Sequence, residues 1–347
     1  MRPLNTALCS FGMSGKVFHA PFLHLNKGFI LYGVWERLKK MAASVYPGII
    51  SFGSLEAMLA DAAIDLVIVN TPNYTHYDFA KKALLAGKHV VVEKSFTVTV
   101  SEAEELIQIA KVKNKKLSVF QNRRFDSDFK TVKKIVDEGS LGKIVEAEIH
   151  FDRFNLNLSP KQHKETINPG AGLLHDLGPH IIDQALHLFG MPQSLFGFLR
   201  VLRPLSMVND YFDMHLFYTG LTVRLKAGLI VKEIPPAYSF HGTQGSFVKS
   251  RADIQEEFLK SGIQPDSVDW GKEPVDAAGT LNILKDGETV LQKVISLQGN
   301  YMEFYDRLYE AISNDQKLPV TAEEGLNVMR IIEAVQHSNL TKKVVDL

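Results

Sequence analysis

The first ~120 residues alternate short apolar runs with segments of helical spacing, and this rhythm restricts them to a parallel sheet whose strands are joined by helices. The runs Asn5 to Ser10, Phe29 to Trp35, Leu66 to Asn70, His89 to Val92 and Leu117 to Phe120 read as strands. Between them, Ser54 to Leu59, Asp78 to Ala86 and Ser101 to Lys111 read as helices, with Ser101 and Glu104 spaced as a capping box. In a doubly wound sheet of this kind the crevice lies outside the carboxyl ends of the strands. The residues that follow each strand are therefore the ones to examine for chemistry.

After the first strand stands Ser10-Phe11-Gly12-Met13-Ser14-Gly15, close to the phosphate-binding pattern G-x-G-x-x-G but with Ser10 in place of the first glycine. Loop amides and a helix start would face a pyrophosphate there, with glycine wherever a side chain would block the approach. Glu36 and Arg37 follow the second strand, and Glu36 lies 21 residues beyond Gly15. An acid at that distance suits a ribose 2′-hydroxyl, whereas an arginine suits a 2′-phosphate, so the pair leaves NAD and NADP both open. Two solvated charges opening a helix would look the same. Thr71-Pro72-Asn73-Tyr74-Thr75-His76 follows the next strand, with Thr71 and Asn73 as candidate cofactor contacts around a turn fixed by Pro72. Glu93-Lys94 ends the strand after that. A partly buried lysine in such a crevice can exchange a proton with a substrate oxygen, although a surface lysine closing a strand has the same local signature.

From Lys143 onward the pattern changes. Ile144, Val145, Ala147, Ile149 and Phe151 lie in strands that alternate and follow one another through turns, which predicts a second domain on a mainly antiparallel sheet. Helical patterns at Leu173 to Phe189, Tyr301 to Ile312 and Ala322 to Val335 are expected to cover one face of it. At 347 residues the chain is long enough for two cores, and the reading divides it into a dinucleotide-binding domain over 1–122 and a substrate and oligomerisation domain over 123–347.

Composition removes several function classes. Lys plus Arg and Asp plus Glu both number 39, so no net field favours nucleic acid or an anionic membrane surface. Cys9 is the only cysteine, which rules out an intrachain disulfide and a cysteine-rich metal cluster and points to a reducing compartment. No secretory signal pattern and no membrane-spanning apolar run is present, so the expectation is a cytoplasmic chain with a small-molecule substrate.

A second candidate constellation opens a helix at Gly170-Ala171-Gly172 and carries His175, Asp176, His180, Asp183 and His187. Asp176 and His180 are four apart, which on one continuous helix puts both on one face, where a carboxylate can orient an imidazole for proton transfer. A capping Asp and a satisfied His are the structural alternative. The five do not share a face and no H-E-x-x-H run is present, so no metal is expected.

With these residues in view the sequence resembles the Gfo/Idh/MocA oxidoreductases, named for glucose-fructose oxidoreductase, inositol dehydrogenase and the rhizopine-catabolism protein. The resemblance runs through Gly12-x-x-Gly15, Thr71-Pro72-Asn73-x-x-His76, Ala86-Gly87-Lys88-His89-Val90, Glu93-Lys94, Gln121-Asn122-Arg123-Arg124-Phe125-Asp126 and the glycine-rich helix start through Asp176 and His180. Phe18-His19-Ala20-Pro21, Phe151-Asp152-Arg153-Phe154 and His241-Gly242-Thr243-Gln244-Gly245-Ser246-Phe247 make it most similar to the scyllo-inositol dehydrogenase-like branch. Ser95 replaces the proline of the family's Glu-Lys-Pro motif.

The resemblance implies a Rossmann domain followed by an α/β domain whose open sheet joins subunits into a homodimer or homotetramer. It implies NAD or NADP as cofactor, with Lys94, Asp176 and His180 around the reacting carbon of a sugar or inositol-like polyol. Phe11, Gly12, Met13, Ser14, Gly15, Glu36, Arg37, Thr71, Pro72, Asn73, His76, Glu93, Lys94 and Asn122 are then the cofactor contacts, and Arg153 joins the substrate contacts. Two other functions share most of these features. One is a redox-neutral sugar isomerase, lyase or glycosidase with tightly bound NAD(H), and the other is a non-catalytic NAD(P) sensor, which would need only the nucleotide site.

Overall fold

The computed structural model describes residues 2–36 and 40–347. The chain forms two compact units. The first contains the residues up to Phe125 together with Ile254–Trp270 and Asn300–Leu326, and the second contains Asp126–Asp253, Gly271–Gly299 and Asn327–Leu347.

In the first unit, β1 (Leu4–Leu8), β2 (Phe29–Trp35), β3 (Ile50–Phe52), β4 (Leu66–Val69), β5 (His89–Val92) and β6 (Leu117–Val119) form one parallel sheet in the order β3-β2-β1-β4-β5-β6. The order reverses direction between β1 and β4, and in this topology the carboxyl ends of that pair are where a ligand binds. β4 and the inner part of β5 are buried on both faces, as a parallel sheet covered by helices requires. β3 is an addition to the five strands read from the sequence, since its three residues are too few to display an alternation.

Two further expectations are corrected in this unit. The capping box of helix Val100–Val112 forms on Thr99 and Glu102 rather than on Ser101 and Glu104. Thr99 still has extended backbone and its hydroxyl accepts from the Glu102 amide, while the Glu102 carboxylate accepts from the amides of Thr99 (3.1 Å) and Val98 (2.9 Å). Ser101 already lies inside the helix, where it cannot cap. Helix Met302–Ser313, expected over the second sheet, instead packs in the first unit, where Tyr305 stacks on Phe22 (5.4 Å between rings, 9° between planes) and Phe304 meets Phe120 edge-on.

In the second unit, β7 (Ile144–His150), β8 (Ser194–Arg200), β9 (Tyr211–Tyr218), β10 (Leu221–Gly228), β11 (Tyr238–Gly242), β12 (Gly245–Lys249), β13 (Gly279–Lys285), β14 (Glu288–Val294) and β15 (Val345–Asp346) form a nine-stranded sheet. Its order is β14-β13-β12-β11-β7-β10-β9-β8-β15, antiparallel except for the β7–β10 pair. Ala147, Ile149, Met214, Val223, Leu225 and Phe240 form a buried apolar face. The alternate positions of the central strands carry Glu148, His150, Asp213, Arg224 and Lys226, which pair with one another and with Asp152 just beyond β7. Among the described residues no helix is long and apolar enough to cross a membrane.

The position of the capping box is open to test. Thr99→Ala is expected to lower stability in urea denaturation by about 1 kcal/mol, whereas Ser101→Ala changes it by less than about 0.5 kcal/mol. The reverse ranking would contradict the assigned cap.

Candidate functional site

The first strand end sets the geometry of the first unit. Beyond Ser10, Phe11 and Gly12 the chain is helical from Met13 to Leu25, with a π turn over Gly15–His19. Pro21 accounts for that turn, because it has no amide to bond back four residues, and the Ala20 amide reaches the Gly15 carbonyl instead. Ser10, in the place of the first motif glycine, accepts from the Gly12 amide through its hydroxyl (3.2 Å) and from Asn70 Nδ2 through its carbonyl (2.8 Å). A Cβ on Gly15 would lie 2.4 Å from that carbonyl and 2.9 Å from Asn70 Nδ2, so only glycine fits where β1 and β4 approach. A Cβ on Gly12 would meet nothing nearer than Ser10 Oγ at 3.4 Å, which leaves space above the loop. Phe11 is buried edge-on against Tyr46 (6.1 Å), and Met13 is exposed.

At the end of β2 the Glu36 carboxylate is already engaged, accepting from the amides of Met41 (3.0 Å) and Ala42 (3.1 Å) at the start of a short helix. Arg37 lies outside the described residues. After β4, Thr71 and Thr75 bond through their hydroxyls (2.6 Å), Thr75 also donates to Pro72 O (2.7 Å), and Asn73 begins a 3₁₀ turn. His76 is buried, with Nδ1 2.7 Å from Ser95 O and Nε2 2.8 Å from Thr71 O, and burial pulls its imidazole below the ordinary value against those two contacts. Its geometry is that of a brace between the Thr71 loop and the Lys94 turn.

Glu93 and Lys94 follow β5, and the Lys94–Ser95 peptide is cis. Glu93 Oε1 accepts from Ser14 Oγ and lies 3.0 Å from His19 Nε2, while Oε2 accepts from the Lys94 amide (3.2 Å). Burial pushes the Glu93 carboxyl up, but the His19 bond and charge and the Ser14 bond hold it below the ordinary value. Lys94 itself is half-buried. After β6, Gln121 and Asn122 are buried, and Arg123 pairs with Glu256 (2.6 Å).

These strand ends fit a dinucleotide. Two buried acceptors at them, Asn70 Oδ1 and Gln121 Oε1, have no partner among the described residues and suit the hydroxyl or carboxamide donors of such a ligand. Together with the open backbone at Gly12, they make NAD or NADP a chemically consistent occupant.

In the second unit Gly170 and Gly172 both have positive φ, and a Cβ on Gly172 would lie 2.3 Å from Asn209 Nδ2. Asn209 accepts from the Leu173 amide through its carbonyl (2.7 Å) and from the Leu174 amide through its side chain (2.9 Å). The segment expected as one helix is two, Leu173–Asp176 and Gly178–Phe189, broken at Leu177 where Gly178 and Pro179 weaken the ladder. Asp176 is half-exposed and accepts from Lys164 Nζ (3.0 Å). His180 is buried, its ring 6.2 Å from that of Phe151, against which the guanidinium carbons of Arg251 and Arg153 lie at 4.2 and 4.9 Å. His175 is also buried, with Nε2 3.2 Å from Gln336 Nε2, and burial lowers its pKa to about 4. Among the described residues no group of three or more His, Cys, Asp or Glu side chains could hold a metal ion.

The contacts of His19, Asn209, Lys164 and Arg251 are not visible in the sequence. His19 stands in a motif noted for the branch, yet nothing in the spacing says that its ring turns toward Glu93. Asn209 and Arg251 meet the helix start and Phe151 only through sheet topology.

Comparisons with known proteins agree with this fold. The family described as "Oxidoreductase family, NAD-binding Rossmann fold" matches residues 4–121, and its "C-terminal alpha/beta domain" matches residues 133–347. The chain is 36% identical over 344 residues to the scyllo-inositol 2-dehydrogenase (NADP(+)) IolW of Bacillus subtilis, covering 99% of this chain and 96% of that one. It is 38% identical over 330 residues to YdgJ of Escherichia coli, an uncharacterized oxidoreductase, covering 95% of this chain and 94% of that one. Among solved structures, yvaA of Bacillus subtilis, assigned as an oxidoreductase, superposes with a TM-score of 0.97 at 36% identity over 100% of this chain and 99% of that one.

The buried His175 makes a pH prediction. It stays neutral in the fold down to about pH 4, whereas in the unfolded chain it takes a proton near its ordinary pKa of about 6.5. The unfolded state therefore binds the extra proton between these values, and the contribution is present above about pH 6.5 and lost as pH falls toward 4. Relative to His175→Gln, the wild type is expected to lose on the order of 2–3 kcal/mol of unfolding free energy across that window. A difference that does not change with pH would contradict the assignment.

Proposed function

Because the chain belongs to the Gfo/Idh/MocA oxidoreductase family over nearly its whole length, we propose that it acts in the cytoplasm, transferring a hydride between NAD or NADP and a hydroxyl-bearing carbon of a sugar or cyclic polyol. The observation that carries the proposal is in the first unit, where the carboxylate of Glu93 contacts both Ser14 of the glycine loop and the backbone amide of Lys94. A proton-carrying amine thus follows directly on the residue that grips the nucleotide loop. The similarity to a scyllo-inositol 2-dehydrogenase supports the polyol class.

The nicotinamide, when bound, supplies the hydride donor or acceptor. Gly12, Gly15 and the loop amides hold the pyrophosphate, with Phe11, Met13 and Ser14 shaping the loop around it. Thr71, Pro72, Asn73 and Asn122 border the nucleotide from the neighbouring strand ends, and His76 braces that border from behind. Lys94 steadies the substrate oxygen as charge develops and shares its proton. His180 takes the hydroxyl proton in the oxidative direction and returns it in the reductive one, as an imidazole working near neutral pH can. Asp176 and Arg153 hold further hydroxyls of the substrate. The alternating polar face of the nine-stranded sheet is the proposed contact between copies in a homodimer or homotetramer, and sedimentation equilibrium showing only monomer at micromolar concentration would contradict it.

Inositol isomers, aldoses and lactones assayed with NAD and NADP in parallel are expected to give an absorbance change at the reduced nicotinamide band with at least one polyol. Lys94→Ala is expected to bind cofactor and lose about 10²- to 10⁴-fold in turnover. Near-native turnover would remove Lys94 from the chemistry, and repeated turnover without added cofactor would favour a redox-neutral reaction instead. The cofactor test uses Glu36, whose carboxylate accepts from two backbone amides at the strand end proposed for the ribose. Glu36→Gln is expected to raise the NADP:NAD ratio of kcat/KM about tenfold, and a change under about twofold would limit the carboxylate to helix capping.

A further inference from the structure

His19 is not used by the chemistry proposed above, yet it is fully enclosed in the first unit and lies on a carboxylate that touches both Ser14 of the glycine loop and the Lys94 amide. The hydrogen-bond roles around it are determined by its partners. Tyr305 Oη donates to Phe18 O at 2.6 Å, which uses the only hydroxyl hydrogen, so at the 2.9 Å contact between Tyr305 Oη and His19 Nδ1 the imidazole must be the donor. On the other side of the ring, Nε2 lies 3.0 Å from Glu93 Oε1, an oxygen that already accepts from Ser14 Oγ, while Oε2 accepts from the Lys94 amide. Every neighbour of this carboxylate is a donor, which is the environment of an ionised group. Both ring nitrogens of His19 thus face oxygen atoms, Tyr305 Oη on one side and the Glu93 carboxylate on the other.

Among the described residues the His19 ring is packed by aromatic side chains, and the second cation acting on Glu93 is Lys94. Phe120 lies 4.5 Å from the His19 ring centroid, and Tyr305 is edge-on at 6.5 Å. Facing Glu93 are Ser14, His19 and Lys94, with the charge of Glu93 also felt at His76. The helix that follows the glycine loop therefore sends a buried imidazole across to the end of β5, and its π turn puts His19 at the point where the helical repeat widens.

We propose that His19 is a positioning residue for this reaction: as a buried imidazolium it keeps Glu93 ionised, and through that single carboxylate it fixes Ser14 of the nucleotide loop and the backbone of Lys94 in one arrangement. The proposal rests on the reading of Lys94 as a reacting group. Removing the cation takes from the buried carboxylate its enclosed counter-charge and leaves Lys94 as the remaining one, so Glu93 takes up a proton more readily, its charge beside Lys94 falls, and the link between loop and lysine loosens. Removing both partners leaves no uncompensated charge behind.

The test is a double-mutant cycle on His19→Phe and Glu93→Gln, with kcat, KM, pH profiles, reduced-cofactor binding and thermal unfolding measured on each protein. Phenylalanine keeps the ring volume against Phe120 and Tyr305. Each single variant is expected to lower kcat about tenfold or more while substrate KM moves less than about threefold, because a small misplacement of a reacting group costs mainly the chemical step. His19→Phe is also expected to gain an acid-side limb in its kcat/KM profile that is absent from the wild type and from the double variant. The double variant is expected to match Glu93→Gln alone. Should His19→Phe not fold, His19→Gln, which keeps one N–H donor, carries the same pH test. A wild-type kcat and pH profile in the folded His19 variant, or losses that multiply in the double variant, would overturn the proposal. Large loss in Lys94→Ala with none at His19 overturns this proposal alone, whereas near-native turnover in Lys94→Ala removes the reading of Lys94 and this proposal with it.

Discussion

The approach of β1 to β4 governs the first unit. Asn70, at the end of β4, donates to the carbonyl of Ser10, at the end of β1, and Gly15 lies so close to both that no side chain fits between them. β2 and β3 extend the sheet to one side of this pair and β5 and β6 to the other, which makes the pair the switch point at whose carboxyl ends such sheets bind ligands. The positions of the glycine loop, the Thr71 turn and the Glu93-Lys94 pair all follow from that one close contact.

Around Lys94 the structure places polar groups where burial strengthens them. Glu93 and Ser95, its two neighbours in sequence, are each held by a buried histidine from a different element: His19 from the helix after the glycine loop and His76 from the end of the Thr71 turn. Hydrogen bonds of this kind gain directional strength in a low-dielectric interior, and they are costly to leave half-made. The side chain of Lys94 is thus carried on backbone fixed from both flanks. In the second unit His180 depends on a glycine turn seated on Asn209 and on an aromatic ring shared with two arginines.

Much of this was legible in the residues themselves. Alternating apolar runs gave five of the six parallel strands in place, and the turn from βαβ rhythm to strict alternation after Lys143 gave the mainly antiparallel sheet. The glycine loop was visible because few other features need glycine immediately after a strand. What was not legible depends on distant packing. Helix Met302–Ser313 reads as an amphipathic helix from its own sequence, but which apolar face it joins is decided by Phe22 and Phe120, far earlier in the chain. The break at Leu177 needed the weight of Gly178 and Pro179 against an otherwise helical pattern, and Glu36 could be recognised as an acid at the right distance without showing that two backbone amides hold it.

The central claim is that a nicotinamide dinucleotide occupies the carboxyl rim of the parallel sheet and engages the loop that Glu93 ties to Lys94. Amide hydrogen exchange, followed with and without saturating reduced cofactor, tests this directly. The account predicts slowed exchange concentrated in residues 10–16, 70–76 and 93–95, with the strands themselves unchanged. Protection confined to other surfaces, with these three loops exchanging as fast in the complex as in the free protein, would contradict it.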